Sequence, residues 1–373
     1  MNRHAEIAGA GLAGLTVGAA LAQHGWSVRV HERAPEMRMF GAGIWLWENG
    51  LRALSMIGAR EQTTRKARQI KEWAVLDENG KDMFRRPFDS TDHMVLPLRS
   101  ELYEALIDAA KSAGVEIVTD SNVLSASPEG KLTLASGEAV QADLVVAADG
   151  ASSRIREALM LTERVSYLPE GYVRLIADAR PGDEDSVIYE CWNGSRRFLY
   201  CPCSEDWHYV ALVCLVDDVP GRRVPVDKAY WSSNFPDFAG IIDRLGDSGR
   251  WDRGMTVRCR SWSAGRVVLV GDAAHAQAPN LGQGANMTFT NAMSLAAAVT
   301  ESSDVPAALR SWEKRERPLT DHVQRWSHGY GTVVSRWPEP LLHMRGPALQ
   351  MLTGLPWVDA QLNRAARHWP VGS

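Results

Sequence analysis

The sequence predicts an α/β (α+β) protein with a parallel-sheet domain, a second β-sheet domain inserted into it, and a helical C-terminus. Three observations predict this class. A Gly-rich turn joins the first apolar strand to a helix at residues 9–14, two later apolar strands end on Asp149-Gly150 and Gly271-Asp272, and residues 172–218 consist almost entirely of strand patterns. The α/β signals on both sides of that all-strand block indicate a first domain that is discontinuous in sequence.

The order of these signals also predicts where the domains divide. We expect the parallel-sheet domain to comprise residues 1–68, 96–168 and 262–300, the inserted domain residues 69–95 and 169–261, and the helical region residues 301–373. Proline tends to break helices. We therefore expect the C-terminal helices to be interrupted at Pro338, Pro340, Pro347 and Pro356.

Composition excludes several classes of protein. A chain of 373 residues with 45% hydrophobic and 23% charged residues is typical of globular domains, and a net charge of -4 argues against nucleic acid as a main partner. No apolar run reaches the roughly 18–20 residues of a membrane span, and a strand pattern near residue 5 leaves no room for a signal peptide. The five cysteines complete no zinc motif, so we expect no metal site and reduced thiols in a cytoplasmic protein.

The first element is "AEIAGAGLAGLTVGAALAQHGWSVRVHER", a strand, a Gly-rich turn, a helix ending near His24-Gly25, and a strand closing on Glu32. In this context the G-x-G-x-x-G pattern indicates a Rossmann-like dinucleotide site, with a pyrophosphate on the helix N-terminus and the acid on a ribose. The expected cofactor contacts in this segment are Gly9, Gly11, Leu12, Ala13, Gly14, Glu32 and Arg33.

The following segments continue both domains. "FGAGIWLWENG" is a Gly-rich loop that leads into a helix, residues 69–88 form a hairpin about Asn79-Gly80, and Arg99 introduces an amphipathic helix. The apolar strand Leu144–Ala148 then ends on Asp149. Polar signals thus follow three strands, and ligands of open α/β sheets bind at such strand ends. With a single G-x-G-x-x-G, we expect one long ligand and no permanent second dinucleotide.

The motifs "VVAADGASSRIR" and "LVGDAAHAQAPNLGQGANM" follow the Gly-rich turn in order. With that turn they resemble the single-component FAD-dependent aromatic hydroxylases, whose prototype acts on para-hydroxybenzoate, and especially those that oxygenate hydroxypyridine carboxylates. The resemblance implies a Rossmann-like FAD-binding domain with an inserted β-sheet substrate domain. It implies non-covalent FAD, NADH or NADPH as transient reductant, and O2. The reaction would hydroxylate a small electron-rich aromatic or N-heteroaromatic acid through a flavin C4a-hydroperoxide, with subsequent ring opening left open.

The same resemblance assigns roles along the flavin. Asp272 would bind a ribityl hydroxyl, Pro279 would lie at the ring edge, and the helix start at residues 283–285 would direct N–H groups at the N1–C2=O end, where reduction places negative charge. Asp149, with Arg156, would join FAD binding to docking of the pyridine nucleotide, although Arg156 could instead be a solvated helix residue. The remaining expected contacts are Gly43, Arg99, Val123, Gln283, Gly284 and Ala285. We expect His275 to be structural.

Substrate contacts should come from the inserted sheet. If the chain turns near Glu205, Arg197 and Tyr209 lie on one face and flank a space of about 13 Å. Arg197 would anchor a substrate anion, because a buried guanidinium needs a partner; a structural ion pair with Glu190 is the alternative. Tyr209 would favour ionisation of a ring hydroxyl. Arg174 is a second cation candidate, and Pro279 borders the same pocket.

Trp45 and Trp73 depart from the related pyridine oxygenases, which carry Tyr at both positions. Both are expected at the substrate, with core packing as the alternative for Trp73. Three other functions remain open at this stage: an NAD-dependent dehydrogenase, a flavoprotein of the same fold with other redox chemistry, or a non-enzymatic flavin-fold module. We expect a monomer or homodimer.

Overall fold

A computed structural model describes residues 3–37, 42–89, 93–183 and 185–370. The strands are β1 (His4–Ala8), β2 (Ser27–His31), β3 (Leu46–Trp47), β4 (Arg68–Ile70), β5 (Glu72–Leu76), β6 (Asp82–Pro87), β7 (Met94–Leu96), β8 (Glu116–Val118), β9 (Val123–Ser127), β10 (Lys131–Leu134), β11 (Ala139–Gln141), β12 (Leu144–Ala147), β13 (Thr162–Asp178), β14 (Val187–Asn193), β15 (Arg196–Pro202), β16 (Trp207–Leu215), β17 (Trp251–Cys259), β18 (Ser263–Ala264) and β19 (Val267–Leu269).

The helices are α1 (Leu12–Gln23), α2 (Glu48–Met56), α3 (Arg60–Thr64), α4 (Arg99–Ser112), α5 (Arg154–Ala158), α6 (Lys228–Asn234), α7 (Ala239–Ile242), α8 (Asp272–His275), α9 (Gly284–Glu301), α10 (Val305–Ser335), α11 (Leu342–Thr353) and α12 (Pro356–Asn363). Short 3₁₀ turns cover Pro236–Phe238, Pro279–Leu281 and Glu339–Leu341.

A six-stranded sheet of order β18-β19-β12-β1-β2-β8 forms the first layer. The strands from β19 to β8 run parallel, and only the short edge strand β18 is antiparallel. Strands β12 and β19 are wholly apolar, as expected for a parallel sheet with helices on both faces, whereas β1 also contains His4 and Glu6. Their carboxyl ends therefore open at one edge, where the Gly-rich turn, Asp149 and Gly271-Asp272 emerge.

A seven-stranded sheet of order β17-β13-β16-β15-β14-β5-β6 forms the second layer. Strands β15 and β16 pair antiparallel about a turn centred on Glu205, as the sequence predicts, with the register Arg197↔Val213, Leu199↔Ala211 and Cys201↔Tyr209. The hairpin about Asn79-Gly80 is also confirmed, since β5 pairs antiparallel with β6. Helix α10 packs on α9 and on the Pro279–Leu281 turn, and links the two layers.

Three local features differ from expectation. Pro347 lies inside α11 instead of ending it, because one proline removes a single N–H while the neighbouring turns keep theirs. Strand β17 was not anticipated from "WDRGMTVRC", which lacks regular alternation. Strand β13 runs without a break across the boundary expected after residue 168. The division into domains stays a prediction, and residues 40–41 of the Gly-rich loop lie outside the described part.

Candidate active site

A cavity of about 740 Å³ lies between the carboxyl ends of the parallel strands and the inward face of the seven-stranded sheet. Its walls include thirteen residues that the sequence singled out: Gly11, Leu12, Ala13, Gly43, Trp45, Arg99, Arg174, Arg197, Tyr209, Asp272, Pro279, Gly284 and Ala285. The structure thus brings the three strand-end motifs and the inserted sheet together around one space.

The three glycines of the first turn meet different surroundings. A Cβ on Gly9 would lie 2.5 Å from the Ala148 carbonyl oxygen, and a Cβ on Gly14 would lie 1.9 Å from the Gly9 carbonyl oxygen, so packing requires both glycines. A Cβ on Gly11 would meet nothing within 4 Å. Because Gly11 borders the cavity and the fold does not demand it, a ligand that approaches the backbone closely explains its choice.

Glu32 follows β2 and is held against this turn. One carboxylate oxygen accepts a hydrogen bond from the Ala10 N–H at 3.1 Å, and the other accepts one from the Ala34 N–H at 2.9 Å. A carboxylate has about four acceptor positions. The two oxygens therefore keep lone pairs for the hydroxyls of an adenosine ribose.

The cavity also carries a charged group made of Asp272, Arg99 and Arg174. Asp272 opens into the cavity but lies deep within the protein, so burial raises its carboxyl pKa while Arg99 and Arg174 act to lower it. Burial lowers the pKa of Arg99, and its buried Nε has no partner among the described residues. An acceptor within this cavity would satisfy that N–H.

Helix α9 begins at the cavity. Gly282 adopts the left-handed conformation (φ +61°) and lies so close to Trp45 that a Cβ would be 2.7 Å from its ring. Gly284 and Ala285 border the cavity with almost no side chain, so the first backbone N–H groups of this 18-residue helix are accessible from it. The positive end of a helix dipole there favours an anion.

These observations fit FAD. The open approach at Gly11 suits a pyrophosphate, Glu32 a ribose, Asp272 a polyol, and the α9 N-terminus the anionic end of a reduced flavin ring. FAD would supply electron transfer from NAD(P)H and activation of O2 for oxygen insertion. The protein supplies position, polarity and exclusion of water.

Eight predicted residues do not border the cavity: Gly9, Gly14, Glu32, Arg33, Trp73, Val123, Asp149 and Gln283. Asp149 accepts hydrogen bonds from the Arg154 and Ile155 N–H groups at 2.9 and 3.3 Å, which fixes the start of α5. Gln283 is buried and accepts a hydrogen bond from Asn49 at 3.2 Å. Arg33 is exposed, and Val123 is half-buried at the start of β9. Their cofactor roles stay predictions.

Arg156 and His275 are both enclosed by protein. Arg156 is 2% exposed and donates to the carbonyls of Ala273 at 3.0 Å and Ala151 at 2.9 Å, so the solvated-helix alternative was wrong. His275 packs against Trp262 with ring centroids 5.4 Å apart and does not border the cavity. Burial lowers the pKa of His275 to about 4, which keeps the imidazole neutral near pH 7.

On the substrate side, Arg197 already has partners inside the protein. Its Nη1 donates to Glu190 Oε1 at 3.1 Å, and its Nη2 donates to Asn280 Oδ1 at 2.6 Å. Glu190 also accepts from Trp192 at 2.9 Å and from Tyr330 at 3.0 Å. The Glu190 alternative is therefore what the structure shows, and the guanidinium does not need a substrate anion for its burial.

Tyr209 is polarised by Arg174. Burial raises the pKa of Tyr209, while a hydrogen bond and the charge of Arg174 act to lower it. A hydroxyl has one proton and two lone pairs. Tyr209 borders the cavity, so its hydroxyl can donate one hydrogen bond to a ligand there.

The two tryptophans have different positions. Trp45 borders the cavity, whereas Trp73 stands behind it in an edge-to-face contact with ring centroids 5.3 Å apart. The Trp73 Nε1 is buried without a partner in the described ranges. Core packing thus accounts for the position of Trp73.

Several cavity residues escaped sequence reasoning. Tyr172 lies on the same face as Arg174, Asn280 binds Arg197, and Gln277 precedes Pro279. Tyr172 could have been found from the two-residue alternation with Arg174. The contact of Asn280 with Arg197 joins segments 83 residues apart, so no local pattern could have revealed it.

The fold and the cavity together define a dinucleotide-dependent flavoprotein in which a second sheet presents a substrate to the flavin. Comparisons identify its relatives. A family model described as "FAD binding domain" matches residues 4–327. The chain is 38% identical to a 2-heptyl-3-hydroxy-4(1H)-quinolone synthase of Mycobacteroides abscessus, covering 94% of each protein. It is 29% identical to a 6-hydroxynicotinate 3-monooxygenase of Bordetella bronchiseptica, covering 86% of this chain and 90% of that protein.

Among solved structures, the tetrameric form of 2-methyl-3-hydroxypyridine-5-carboxylic acid oxygenase superimposes with a TM-score of 0.88 at 35% identity, covering 99% of this chain and 97% of that one. The chain belongs to the FAD-binding domain family of flavin-dependent aromatic monooxygenases. It is an oxidoreductase that uses FAD, NAD(P)H and O2, so the sequence prediction of fold, class and cofactor is confirmed. The dehydrogenase alternative is excluded.

Proposed function

We propose that this monooxygenase hydroxylates C3 of a neutral 2-alkyl-4(1H)-quinolone. The observation that carries the proposal is the internal pairing of Arg197 with Glu190 and Asn280. An acid substrate was expected from the resemblance to hydroxypyridine-carboxylate oxygenases, and also because this buried cation seemed to need an anion. With the charge compensated within the protein, a neutral ring costs less to bind than a carboxylate would in the same place.

The cavity residues on the seven-stranded sheet suit a neutral, partly apolar ligand. Leu199, Ala211 and Val213 line the cavity from adjacent strands, and Trp45 adds an aromatic wall. Apolar walls with a few placed polar groups are typical of small-molecule sites. The relative from Mycobacteroides abscessus is named for the 3-hydroxylated 2-heptyl-4(1H)-quinolone, which differs from the proposed substrate by one oxygen atom.

The chemistry of the ring also suits this enzyme class. In a 4(1H)-quinolone the nitrogen lone pair is conjugated through C2=C3 to the carbonyl, so electron density collects at C3. Donors at the carbonyl oxygen would polarise this system. The tyrosine hydroxyls that border the cavity can act as such donors.

An aromatic acid is the second candidate, and Arg174 favours it. This guanidinium is half-buried and borders the cavity, whereas Arg197 is enclosed. The related 6-hydroxynicotinate 3-monooxygenase is named for an acid. Under this alternative Arg174 would bind the carboxylate, and a tyrosine hydroxyl at the cavity would bind the oxygen on the ring.

A comparison of two compounds tests the proposal. Oxidation of NADH and NADPH is measured with 2-heptyl-4(1H)-quinolone and with 6-hydroxynicotinate, and products are identified by mass. We expect the quinolone to stimulate oxidation and to gain one oxygen atom. Stimulation by the acid alone would overturn the proposal in favour of the second candidate.

We also infer a cytoplasmic enzyme that acts as a monomer or homodimer. All five cysteines are free and buried, which suits a reducing compartment, and NAD(P)H is an intracellular reductant. No helix in the described ranges is long and apolar enough to cross a membrane. A related oxygenase is described in a tetrameric form, so light scattering coupled to size-exclusion chromatography decides the oligomeric state.

A further inference from the structure

The Tyr172 hydroxyl is a polar group for which the protein provides no partner. Tyr172 lies on β13, is only 4% exposed, and lines the cavity. Its oxygen is buried and forms no hydrogen bond with any described residue. Buried hydroxyls are almost always paired, so an unpaired one beside a ligand cavity needs an explanation.

The surroundings of Tyr172 keep it protonated. Burial raises the pKa of this hydroxyl, while the charges of Arg197 and Arg174 act to lower it without reversing the shift. The Arg174 guanidinium also lies 5.1 Å from the centroid of the Tyr172 ring and packs over its face. The residue is therefore a fixed O–H donor at working pH.

Glu170 does not serve as the missing acceptor. It lies two residues earlier on the same face of β13, and its Oε2 is buried and also without a partner in the described part of the chain. The two groups form no hydrogen bond with each other. Of the two, only Tyr172 borders the cavity.

Sheet register places Tyr172 opposite Tyr209 across the cavity floor. Tyr172 pairs with Val213, and Tyr209 lies four residues before Val213 on the same strand, about 13 Å along it. The side chains of both tyrosines border the cavity. A ring lying between them on Ala211 would meet a hydroxyl at each end.

We propose that Tyr172 donates a hydrogen bond to the exocyclic oxygen on the substrate ring and thereby fixes the orientation of the ring. For the proposed quinolone this is the carbonyl oxygen, and the ring N–H at the opposite end of the heterocycle faces Tyr209. This inference rests on the proposed function for the identity of the ring, but the role of Tyr172 applies to any substrate with a ring oxygen.

Tyr172→Phe tests the inference, with Tyr200→Phe as the matched control. Tyr200 is also a buried tyrosine of this sheet, at 3% exposure, but its hydroxyl bonds to His208 at 3.3 Å and does not border the cavity. Thermal melting, titration of flavin absorbance with 2-heptyl-4(1H)-quinolone, and product formed per NAD(P)H oxidised are measured for both variants.

We expect Tyr172→Phe to melt at or above the wild-type temperature, since it deletes an unpaired buried group. Its Kd for the quinolone should rise roughly threefold to tenfold, as expected for one lost hydrogen bond, and coupling should fall with more H2O2. Tyr200→Phe should melt lower and keep the wild-type Kd and coupling.

A Tyr172→Phe variant that melts lower but binds and couples like the wild type would overturn the inference, because the hydroxyl would then be structural. If the wild-type enzyme does not bind the quinolone, the proposed function fails separately. The same two variants are then titrated with 6-hydroxynicotinate, where an unchanged Kd and coupling for Tyr172→Phe would equally overturn the role of Tyr172.

Discussion

Removal of the Arg197 guanidinium should cost protein stability more than substrate affinity. Arg197 and Glu190 are 5% and 3% exposed, and their closest atoms are 3.1 Å apart. In Arg197→Met the Glu190 carboxylate keeps the hydrogen bonds from Trp192 and Tyr330 but loses its cation. An unpaired buried charge of this kind costs about 3–5 kcal/mol of unfolding free energy.

A double-variant cycle isolates this effect. Glu190→Gln alone should also destabilise, because the buried Arg197 guanidinium then loses its negative partner and keeps only neutral acceptors. The double variant Arg197→Met with Glu190→Gln should recover most of the loss, since neither member of the pair is then charged. Urea unfolding followed by tryptophan fluorescence at matched FAD content measures all four proteins.

Substrate affinity of Arg197→Met tests the alternative role of Arg197 as an anion anchor. The dissociation constant for 2-heptyl-4(1H)-quinolone should change less than tenfold in Arg197→Met, provided that the variant is folded and loaded with FAD. If instead the unfolding free energy is unchanged and a carboxylated substrate binds tenfold to a hundredfold more weakly, Arg197 is an anion anchor and its pairing with Glu190 does not stabilise the fold.

Three further predictions concern the cofactor and the core. Gly11→Val should leave the far-UV circular dichroism intact but abolish FAD retention, whereas Gly14→Val should disrupt folding itself. Equal FAD content in Gly11→Val and wild type would show that the pyrophosphate does not bind at this turn. Glu32→Ala should weaken FAD binding without changing which substrate is preferred, and a changed preference at normal FAD content would contradict the assignment. Burial lowers the pKa of His275 from 6.5 to about 4, so the unfolded chain binds the extra proton first and stability should fall by about 3 kcal/mol as pH drops through that range. His275→Gln should lack this component in acid unfolding curves, and an identical pH profile would show that His275 does not titrate as described.

The strand-end signals were predictable from sequence because they are local. The Gly-rich turn, Glu32, and Gly271-Asp272 each depend on a few neighbouring residues, and a parallel sheet then brings them to one edge. The face shared by Arg197 and Tyr209 was equally predictable, because strand alternation and a single turn position determine it.

Pairing between distant segments was not predictable. Sequence reasoning named Glu190 as a possible partner of Arg197, but only the register of β14 and β15 decides between a protein acid and a substrate acid. Asn280, which completes the pairing, comes from a different part of the chain. The Tyr172 hydroxyl is unpaired because none of the neighbouring elements in the described part of the chain supplies a hydrogen-bond partner. No local sequence pattern encodes such an absence.

We propose that this enzyme inserts one atom of O2 into a neutral quinolone ring. The most direct measurement is mass spectrometry of the product formed from 2-heptyl-4(1H)-quinolone, NAD(P)H and ¹⁸O2 by the FAD-loaded enzyme. We expect a product that carries one ¹⁸O atom as a hydroxyl at C3. Unchanged quinolone, or a product whose added oxygen comes from water, would contradict it.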